Sequence, residues 1–224
     1  MRDIVLFDFG GTLDADGERW AVRFHRAYAG AGGRLAFSAF EPVFRESDRR
    51  LEADPAVRTM GFRAMVAAQA ALLQDLLPAP EGAAFGEVAD HFHSESLDIV
   101  RRNRPILEQL AARFRLGVVS NFTGNLDRCL AELDLLGLFA VTADSLVVGW
   151  SKPDPRLFLH ALRALDALPE AAWMVGDNFE ADVRPAAALG LATCWLAPAG
   201  RTLPAPGVAT HRIARLTELP PLLD

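Results

Sequence analysis

The sequence predicts an α/β protein in which a doubly wound parallel sheet carries an inserted α-helical region. Short apolar segments of four to six residues have the length and composition of strands that are buried on both faces. In the second half of the chain these segments alternate with amphipathic segments whose apolar residues lie three and four positions apart. Between the first and second predicted strands lies a long stretch of helical periodicity. This order indicates a layered core with a helical insertion.

The first predicted strand is Ile4–Phe7, at the start of the chain. Helices are predicted near 105–113, 126–135 and 155–168, and a further helix has Pro185 close to its start. The tail is rich in proline and ends in a helical turn near 216–223. The later strands are predicted at 116–119, 139–142, 172–175, 191–196 and, as a short edge strand, 208–213.

The insertion is predicted to be a bundle of four helices that can cover one edge of the sheet. Its helices are predicted at 18–31, 38–51, 61–77 and 82–102. Its breaks, marked by glycine or proline, are predicted at 30–33, 54–55 and 77–80.

Arginine is frequent in this insertion, and Arg19, Arg23 and Arg26 share one helix face by their i, i+4, i+7 spacing. One interpretation is a solvated surface stripe. The other is that one or two of these side chains point inward and hold an anionic part of a ligand, since guanidinium groups match phosphate and carboxylate.

Composition excludes several classes of function. The 224 residues are 51% hydrophobic, and the net charge of −6 argues against nucleic acid as a partner. No segment approaches the roughly 18 uninterrupted apolar residues of a membrane span, and Asp3 and Asp8 interrupt the apolar start of the chain. We expect a cytoplasmic protein without a membrane partner, in which Cys129 and Cys194 are buried as small apolar side chains.

The N-terminal strand delivers Asp8 into a turn that contains Gly10, Gly11 and Thr12. In open parallel sheets, ligands bind in the crevice at the carboxyl ends of the strands. Glycine allows a tight turn and a close approach of the backbone to a ligand. Asp8 is therefore the first candidate for a functional residue.

Three later segments place polar side chains at similar positions. Ser120 and Asn121 follow a strand and precede a helix, where hydroxyl and backbone N–H groups can bind an oxyanion. Lys152 is the only lysine in the chain, stands before a Pro-x-Pro sequence, and can offset repulsion between a carboxylate and a phosphoryl group. Asp177 and Asp182 follow the strand at 172–175, and clustered acids of this kind favour Mg²⁺.

In this order the four segments resemble motifs I to IV of the haloacid dehalogenase (HAD) superfamily. The resemblance implies a core at 1–14 and 104–224, with a C1-type helical cap at 15–103. It implies that Asp8 is the nucleophile and that Lys152, Ser120 and Asn121 hold a phosphoryl group. The Mg²⁺ ligands would be the Asp8 carboxylate, the Gly10 backbone carbonyl and Asp177, with Asp182 behind them or bound through water.

The resemblance fails at one position, because Gly10 stands where most phosphatases of the family carry a second aspartate. That residue protonates the leaving group, a step worth about 10²–10⁴ in rate. One hypothesis is a Mg²⁺-dependent phosphatase that acts through an aspartyl-phosphate on a small phosphorylated metabolite. Its substrate would have a good leaving group, or its acid would come from another residue. The candidates for that acid are Asp14, Asp16, Glu46 and Asp48.

Two other hypotheses stay open. The chain could be a catalytically impaired binding protein that keeps the fold and the metal. It could also be a 2-haloacid dehalogenase, since that branch lacks the second aspartate too, although Asp177 and Asp182 favour Mg²⁺ and phosphate. A phosphonatase-like branch is disfavoured because the predicted cap has no lysine for a Schiff base.

Overall fold

A six-stranded, fully parallel sheet forms the centre of the computed structural model, which describes residues 2–77 and 83–223. The strand order β3-β2-β1-β4-β5-β6 confirms the predicted doubly wound sheet. Each predicted strand is present, with small shifts at its ends. The strands are β1 (Ile4–Phe7), β2 (Arg115–Ser120), β3 (Val141–Asp144), β4 (Ala172–Gly176), β5 (Ala192–Leu196) and β6 (His211–Ile213).

Strand β1 lies at the point where the strand order reverses. It pairs with β2 on one side and with β4 on the other, so that Phe7 is level with both Val118 and Val175. The residues that follow these three strands therefore meet at one edge of the sheet. This is the crevice where open α/β sheets bind ligands.

Eight α-helices are found in the described part of the chain, and the first four form the predicted insertion. Two 3₁₀ turns at Leu216–Glu218 and Pro220–Leu222 replace the predicted C-terminal helical turn. The helices are α1 (Trp20–Gly30), α2 (Phe37–Ala53), α3 (Phe62–Leu76), α4 (Phe85–Ala111), α5 (Leu126–Glu132), α6 (Ser145–Val148), α7 (Pro155–Ala164) and α8 (Arg184–Leu189).

The separate helix predicted at 105–113 is wrong, because α4 continues through Pro105. The physical reason is that one buried stripe, spaced by four and three residues, runs across that proline. The expected core–cap boundary at 103–104 thus falls inside a continuous helix. The predicted break at 78–80 and the predicted helix start at Gly82 lie outside the described residues. The buried stripe consists of Ser96, Val100, Asn103, Leu107 and Leu110.

Alternate residues of β1 join different hydrophobic clusters. Val5 and Phe7 belong to the cluster that contains the insertion helices, whereas Ile4 and Leu6 pack with α7. The ring of Phe9, just after β1, lies 5.9 Å from that of Phe62 on α3. The insertion is therefore held to the sheet by a shared apolar core.

Cys129 and Cys194 are free and fully buried, as predicted. Burial raises the pKa of the Cys194 thiol to about 12 and raises that of Cys129 as well. Both side chains are therefore neutral thiols near neutral pH. Among the described residues, every helix is too short or too polar to cross a membrane.

The last residue of β4, Gly176, leaves room for the Asp182 side chain. A Cβ atom at this position would lie 2.3 Å from Asp182 Oδ2 and 2.5 Å from Asp182 Cγ. Asp182 is fully buried, so it has little freedom to move away.

We expect Gly176→Ala to lower the free energy of unfolding by about 1–3 kcal/mol, the usual effect of overpacking a core. Urea denaturation measures this change. Gly86→Ala is the matched control, because a Cβ atom at position 86 has no neighbour within 4 Å and helix α4 tolerates alanine. Equal stability of the two variants would contradict the packing argument.

Candidate active site

Asp8 occupies the carboxyl end of β1 and is 7% exposed. Its backbone N–H donates to Val175 O at 2.9 Å, which extends the pairing with β4 by one residue. Its Oδ1 atom accepts hydrogen bonds from Ser120 Oγ at 2.9 Å and from Lys152 Nζ at 2.7 Å. Three of the predicted site residues thus meet at one carboxylate oxygen.

The Lys152 ammonium group lies between two carboxylates. Nζ is 2.7 Å from Asp8 Oδ1 and 2.6 Å from Asp182 Oδ1. Burial alone would lower the pKa of Lys152, but the charges of Asp182 and Asp8 outweigh it and raise the pKa above its ordinary value. The side chain therefore carries a positive charge at neutral pH.

The side chain of Asn121 holds the backbone of Lys152 in place. Asn121 Oδ1 accepts a hydrogen bond from the Lys152 N–H at 2.7 Å, and Asn121 Nδ2 donates to the Lys152 carbonyl at 2.9 Å. The sequence predicted only that Asn121 offers its backbone N–H to an oxyanion. The structure adds a second role, in which its amide side chain positions the lysine.

Asp177 and Asp182 lie beside Asp8 at the end of β4. One carboxylate oxygen from each of the three residues can be chosen so that all lie within 4.8 Å of one another. Burial, and then the charge of Asp8, raise the pKa of Asp182 to about 6 despite the nearby ammonium group. Burial, followed by the charges of Asp8 and Asp182, raises the pKa of Asp177 well above its ordinary range.

The turn after β1 fits closely against Asp177. Gly11 has a φ angle of +93°, and a Cβ atom there would lie 2.7 Å from Asp177 Oδ1. The hydroxyl of Thr12 accepts a hydrogen bond from the Asp177 N–H at 3.1 Å. These contacts explain why glycine and threonine follow Asp8 at these positions.

This donor set fits a hard divalent cation. Three buried carboxylates face one ammonium group, and within residues 2–77 and 83–223 no ion pair engages Asp177. Mg²⁺ prefers oxygen ligands and would offset the remaining negative charge. Asp8 and Asp177, with Gly10 lining the same cavity, could hold such an ion.

Three of the four candidate acids are paired elsewhere. Asp14 is fully buried and accepts hydrogen bonds from Arg23 Nη1 and Trp20 Nε1, each at 2.8 Å. Asp16 pairs with Arg102 at 2.7 Å. Glu46 pairs with Arg49 and Arg50 on the surface of α2. These contacts leave none of the three free to protonate a leaving group.

Asp48 is the one candidate acid that lines the cavity. Its Oδ1 atom accepts a hydrogen bond from Gln69 Nε2 at 2.8 Å. The residue Asp48 as a whole is exposed to water, but many protein atoms surround its carboxyl group. This partial burial disfavours the charged form and raises the pKa of Asp48 to about 7. The hydrogen bond from Gln69 acts against this shift, and the charge of Glu52 adds to it.

The predicted arginine face is used mainly for contacts inside the protein. Arg23 points inward, as one interpretation expected, but it binds Asp14 and Glu95 of this chain. Arg26 bridges Glu18 and Glu95 on the surface. Only Arg19 of the three lines the cavity, and its Nη1 atom lies 2.9 Å from Glu41.

The predicted site residues share one cavity of about 420 Å³ between the sheet edge and the insertion. Its insertion side consists of α1, α2 and α3. The core side chains and backbone that line it include Asp8, Gly10, Ser120, Asn121, Lys152, Asp177 and Asp182, and the insertion contributes Arg19, Trp20, Asp48, Leu51, Glu52, Met65 and Gln69.

Sequence reasoning missed Trp20, Glu52 and Gln69. Gln69 had a detectable signal, because it is a polar residue within the apolar stripe of α3 that includes Met65 and Leu73. Glu52 stands four residues after Asp48, which places both acids on one face of α2. Trp20 had no comparable signal, since an aromatic residue at a helix start usually packs in a core.

The chain resembles known proteins over different lengths. The family model for haloacid dehalogenase-like hydrolases matches residues 2–190. A human protein, haloacid dehalogenase-like hydrolase domain-containing protein 3, is 42% identical over 77 residues, which are 34% of this chain and 31% of that protein. The chain therefore covers only about a third of this relative's length.

Two further matches cover most of the chain. Ribulose-1,5-bisphosphate 5-phosphatase of Halopiger xanaduensis is 32% identical over 210 residues, covering 88% of this chain and 86% of that protein. The crystal structure of the 2-haloacid dehalogenase of Pseudomonas syringae pv. Tomato DC3000 is 26% identical with a TM-score of 0.56, covering 100% of this chain and 98% of that one. The chain belongs to the haloacid dehalogenase-like hydrolases.

Proposed function

We propose that this hydrolase is a Mg²⁺-dependent phosphatase that acts on a small phosphorylated substrate through an aspartyl-phosphate. The observation that carries this proposal is the buried contact of Asp8 with Lys152 and Ser120 beside Asp177 and Asp182. A nucleophilic carboxylate needs this combination, because a cation must offset its repulsion from a phosphoryl group. The match over 210 residues to the ribulose-1,5-bisphosphate 5-phosphatase supports the same reaction class.

In the proposed reaction the Asp8 carboxylate attacks phosphorus. A bond forms between a carboxylate oxygen and phosphorus as the bond from phosphorus to the leaving oxygen breaks. Water then attacks phosphorus and regenerates the carboxylate and free phosphate. Ser120 and Lys152 orient the nucleophile, and Asn121 positions the lysine. Bound Mg²⁺ would supply positive charge to the phosphoryl oxygens.

We propose that residues 15–103 act as the cap and that 1–14 and 104–224 form the catalytic core. Supporting this division, α1 to α3 line the side of the cavity opposite Asp8. The substrate of the Halopiger xanaduensis relative carries a second phosphate, as its name states. A second phosphate does not suit this cavity, because the carboxyl groups of Asp48 and Glu52 line its insertion side.

Because residue 10 is glycine, no side chain at the usual position can donate a proton to the leaving group. A side chain here would meet Trp20, because a Cβ atom would lie 3.3 Å from Trp20 Nε1 and 3.4 Å from Trp20 Cε2. The indole is fixed by its hydrogen bond to Asp14. The close packing of the Trp20 indole therefore favours glycine at position 10.

We expect the wild-type protein to hydrolyse acyl and aryl phosphates about 10²–10⁴ times faster than alkyl phosphates, because only the first two release a stable anion without a proton. The measurement is kcat/KM for a series of esters plotted against leaving-group pKa. Equal rates across the series would contradict the absence of a proton donor.

We expect Gly10→Asp to raise the rate on alkyl phosphates more than the rate on aryl phosphates, since the new carboxyl group supplies the proton. Gly10→Ala is the matched control, because it introduces the same Cβ contact with Trp20 without the carboxyl group. An equal gain in both variants would contradict the proton-donor argument. Activity in Gly10→Asp from a silent wild type would instead indicate an impaired binding protein.

We expect EDTA to abolish turnover and Mg²⁺ to restore it. Mg²⁺ should also stabilise the folded protein by about 2.7 kcal/mol at one hundred times its dissociation constant, as measured by urea denaturation. Asp177→Asn should lose this stabilisation. Asp90→Asn should keep it, because Asp90 is an exposed acid paired with Arg63 away from the site. Full activity in EDTA would overturn the metal assignment.

A 2-haloacid dehalogenase is the second candidate. The match to the dehalogenase structure and the absence of an acid at position 10 favour it. In that reaction an Asp8 oxygen would bond to carbon as the carbon–halogen bond breaks and halide leaves. Water would then attack the carbonyl carbon of the resulting ester, which releases the hydroxy acid and places a solvent oxygen in the Asp8 carboxylate. Single turnover in ¹⁸O water separates the candidates: a phosphatase puts the label in phosphate, whereas a dehalogenase puts it in Asp8.

A further inference from the structure

We infer that Asp48, Glu52 and Gln69 form a binding subsite for a primary ammonium group on the substrate. This inference rests on the proposed phosphatase function and narrows its substrate class to phosphate monoesters that carry a primary ammonium group. The phosphoryl group would lie at Asp8, and the ammonium group would lie against the insertion helices.

The two acids of this subsite come from one helix face. Asp48 and Glu52 lie four residues apart on α2, and both line the cavity. Like charges at this spacing repel each other. A metal site is not indicated, because in the described part of the chain the only group of three metal-ligating side chains found is Asp8, Asp177 and Asp182.

Gln69 provides an independent sign of a missing ligand. It is 1% exposed and lines the same cavity from α3. Ser47 Oγ donates its proton to Phe44 O, so it can only accept the hydrogen bond from Gln69 Nε2 at 2.7 Å. The second proton of Nε2 goes to Asp48 Oδ1.

These contacts fix the orientation of the Gln69 amide and leave its carbonyl without a donor. Oε1 is buried and has no hydrogen-bond partner among the described residues. Buried acceptors of this kind are uncommon in folded proteins, because an unpaired group loses its hydration without compensation. A ligand that donates a hydrogen bond here would complete the site.

An ammonium group matches this arrangement because it offers three N–H donors and one positive charge. It can pair with both carboxylates and donate to Gln69 Oε1. A distal carboxylate or phosphate would be repelled by the same groups. Leu51 and Met65 line the cavity with apolar surface that suits a methylene chain, and the nearby Arg19 is already paired with Glu41.

The test compares aminoalkyl phosphates with n-alkyl phosphates of equal length. Ethanolamine phosphate, 3-aminopropyl phosphate and 4-aminobutyl phosphate cover a range of chain lengths. We expect the best ammonium ester to have a kcat/KM about 10- to 100-fold above that of its neutral counterpart, the range for a charged hydrogen-bonded contact. A phosphate ester with a distal carboxylate should be the poorest substrate.

Substitutions of the two acids distinguish a role in binding the ammonium group from a role in protonating the leaving group. We expect Glu52→Gln and Asp48→Asn to raise KM for the ammonium esters, with little change for n-alkyl phosphates. Glu46→Gln is the matched control, since Glu46 lies on the same helix but pairs with Arg49 and Arg50. A lower kcat for every alkyl ester in Asp48→Asn, independent of the ammonium group, would make Asp48 a proton donor and overturn the subsite.

Calorimetry with the Asp8→Asn variant separates this inference from the proposed reaction. If the wild type hydrolyses no phosphate ester, the phosphatase proposal fails, but tighter binding of aminoalkyl than n-alkyl phosphates would still support the subsite. Equal binding of the two series, or equal effects of Glu52→Gln and Glu46→Gln, would overturn it.

Discussion

The buried ammonium group of Lys152 is the contact on which the site depends. It lies within 2.7 Å of Asp8 and 2.6 Å of Asp182, two carboxylates that would otherwise face each other without compensation. Breaking such a buried pair by removing one partner typically costs about 3–5 kcal/mol. The strand order brings the two acids together, and Asn121 fixes the backbone from which the lysine extends. The Nζ atom of Lys152 therefore contributes both to the stability of the folded site and to the proposed chemistry.

A second set of contacts links the insertion to the first turn of the core. Trp20 lies against Gly10, and Asp14 holds both Trp20 and the buried Arg23. The space beside Gly10 is therefore filled by an indole ring from α1. In this chain the usual acid is absent and Trp20 packs closely against position 10, so an acid restored there has to shift a hydrogen-bonded indole by a few tenths of an ångström. Any chemistry at position 10 therefore depends on how α1 of the insertion packs against the first turn of the core.

Much of the fold could be predicted, because buried parallel strands leave short apolar segments that end in polar residues. Asp8, Ser120, Asn121, Lys152 and Asp177 were all predicted, and all line one cavity. Features that depend on tertiary packing could not be predicted. The contact of Arg23 with Glu95 and the hydrogen bond from the Lys152 N–H to the Asn121 side chain join segments far apart in sequence. Pro105 suggested a helix boundary, but a continuous buried stripe overrides that local preference.

Asp8 would carry the phosphoryl group as a covalent intermediate in the proposed reaction. The most direct test is acid quenching during turnover of an aryl phosphate, followed by mass spectrometry of the peptides. We expect one phosphoryl group on the peptide that carries Asp8, present with Mg²⁺ and absent with EDTA and in Asp8→Asn. Turnover without any phosphorylated Asp8, or phosphorylation of a different residue, would contradict the account.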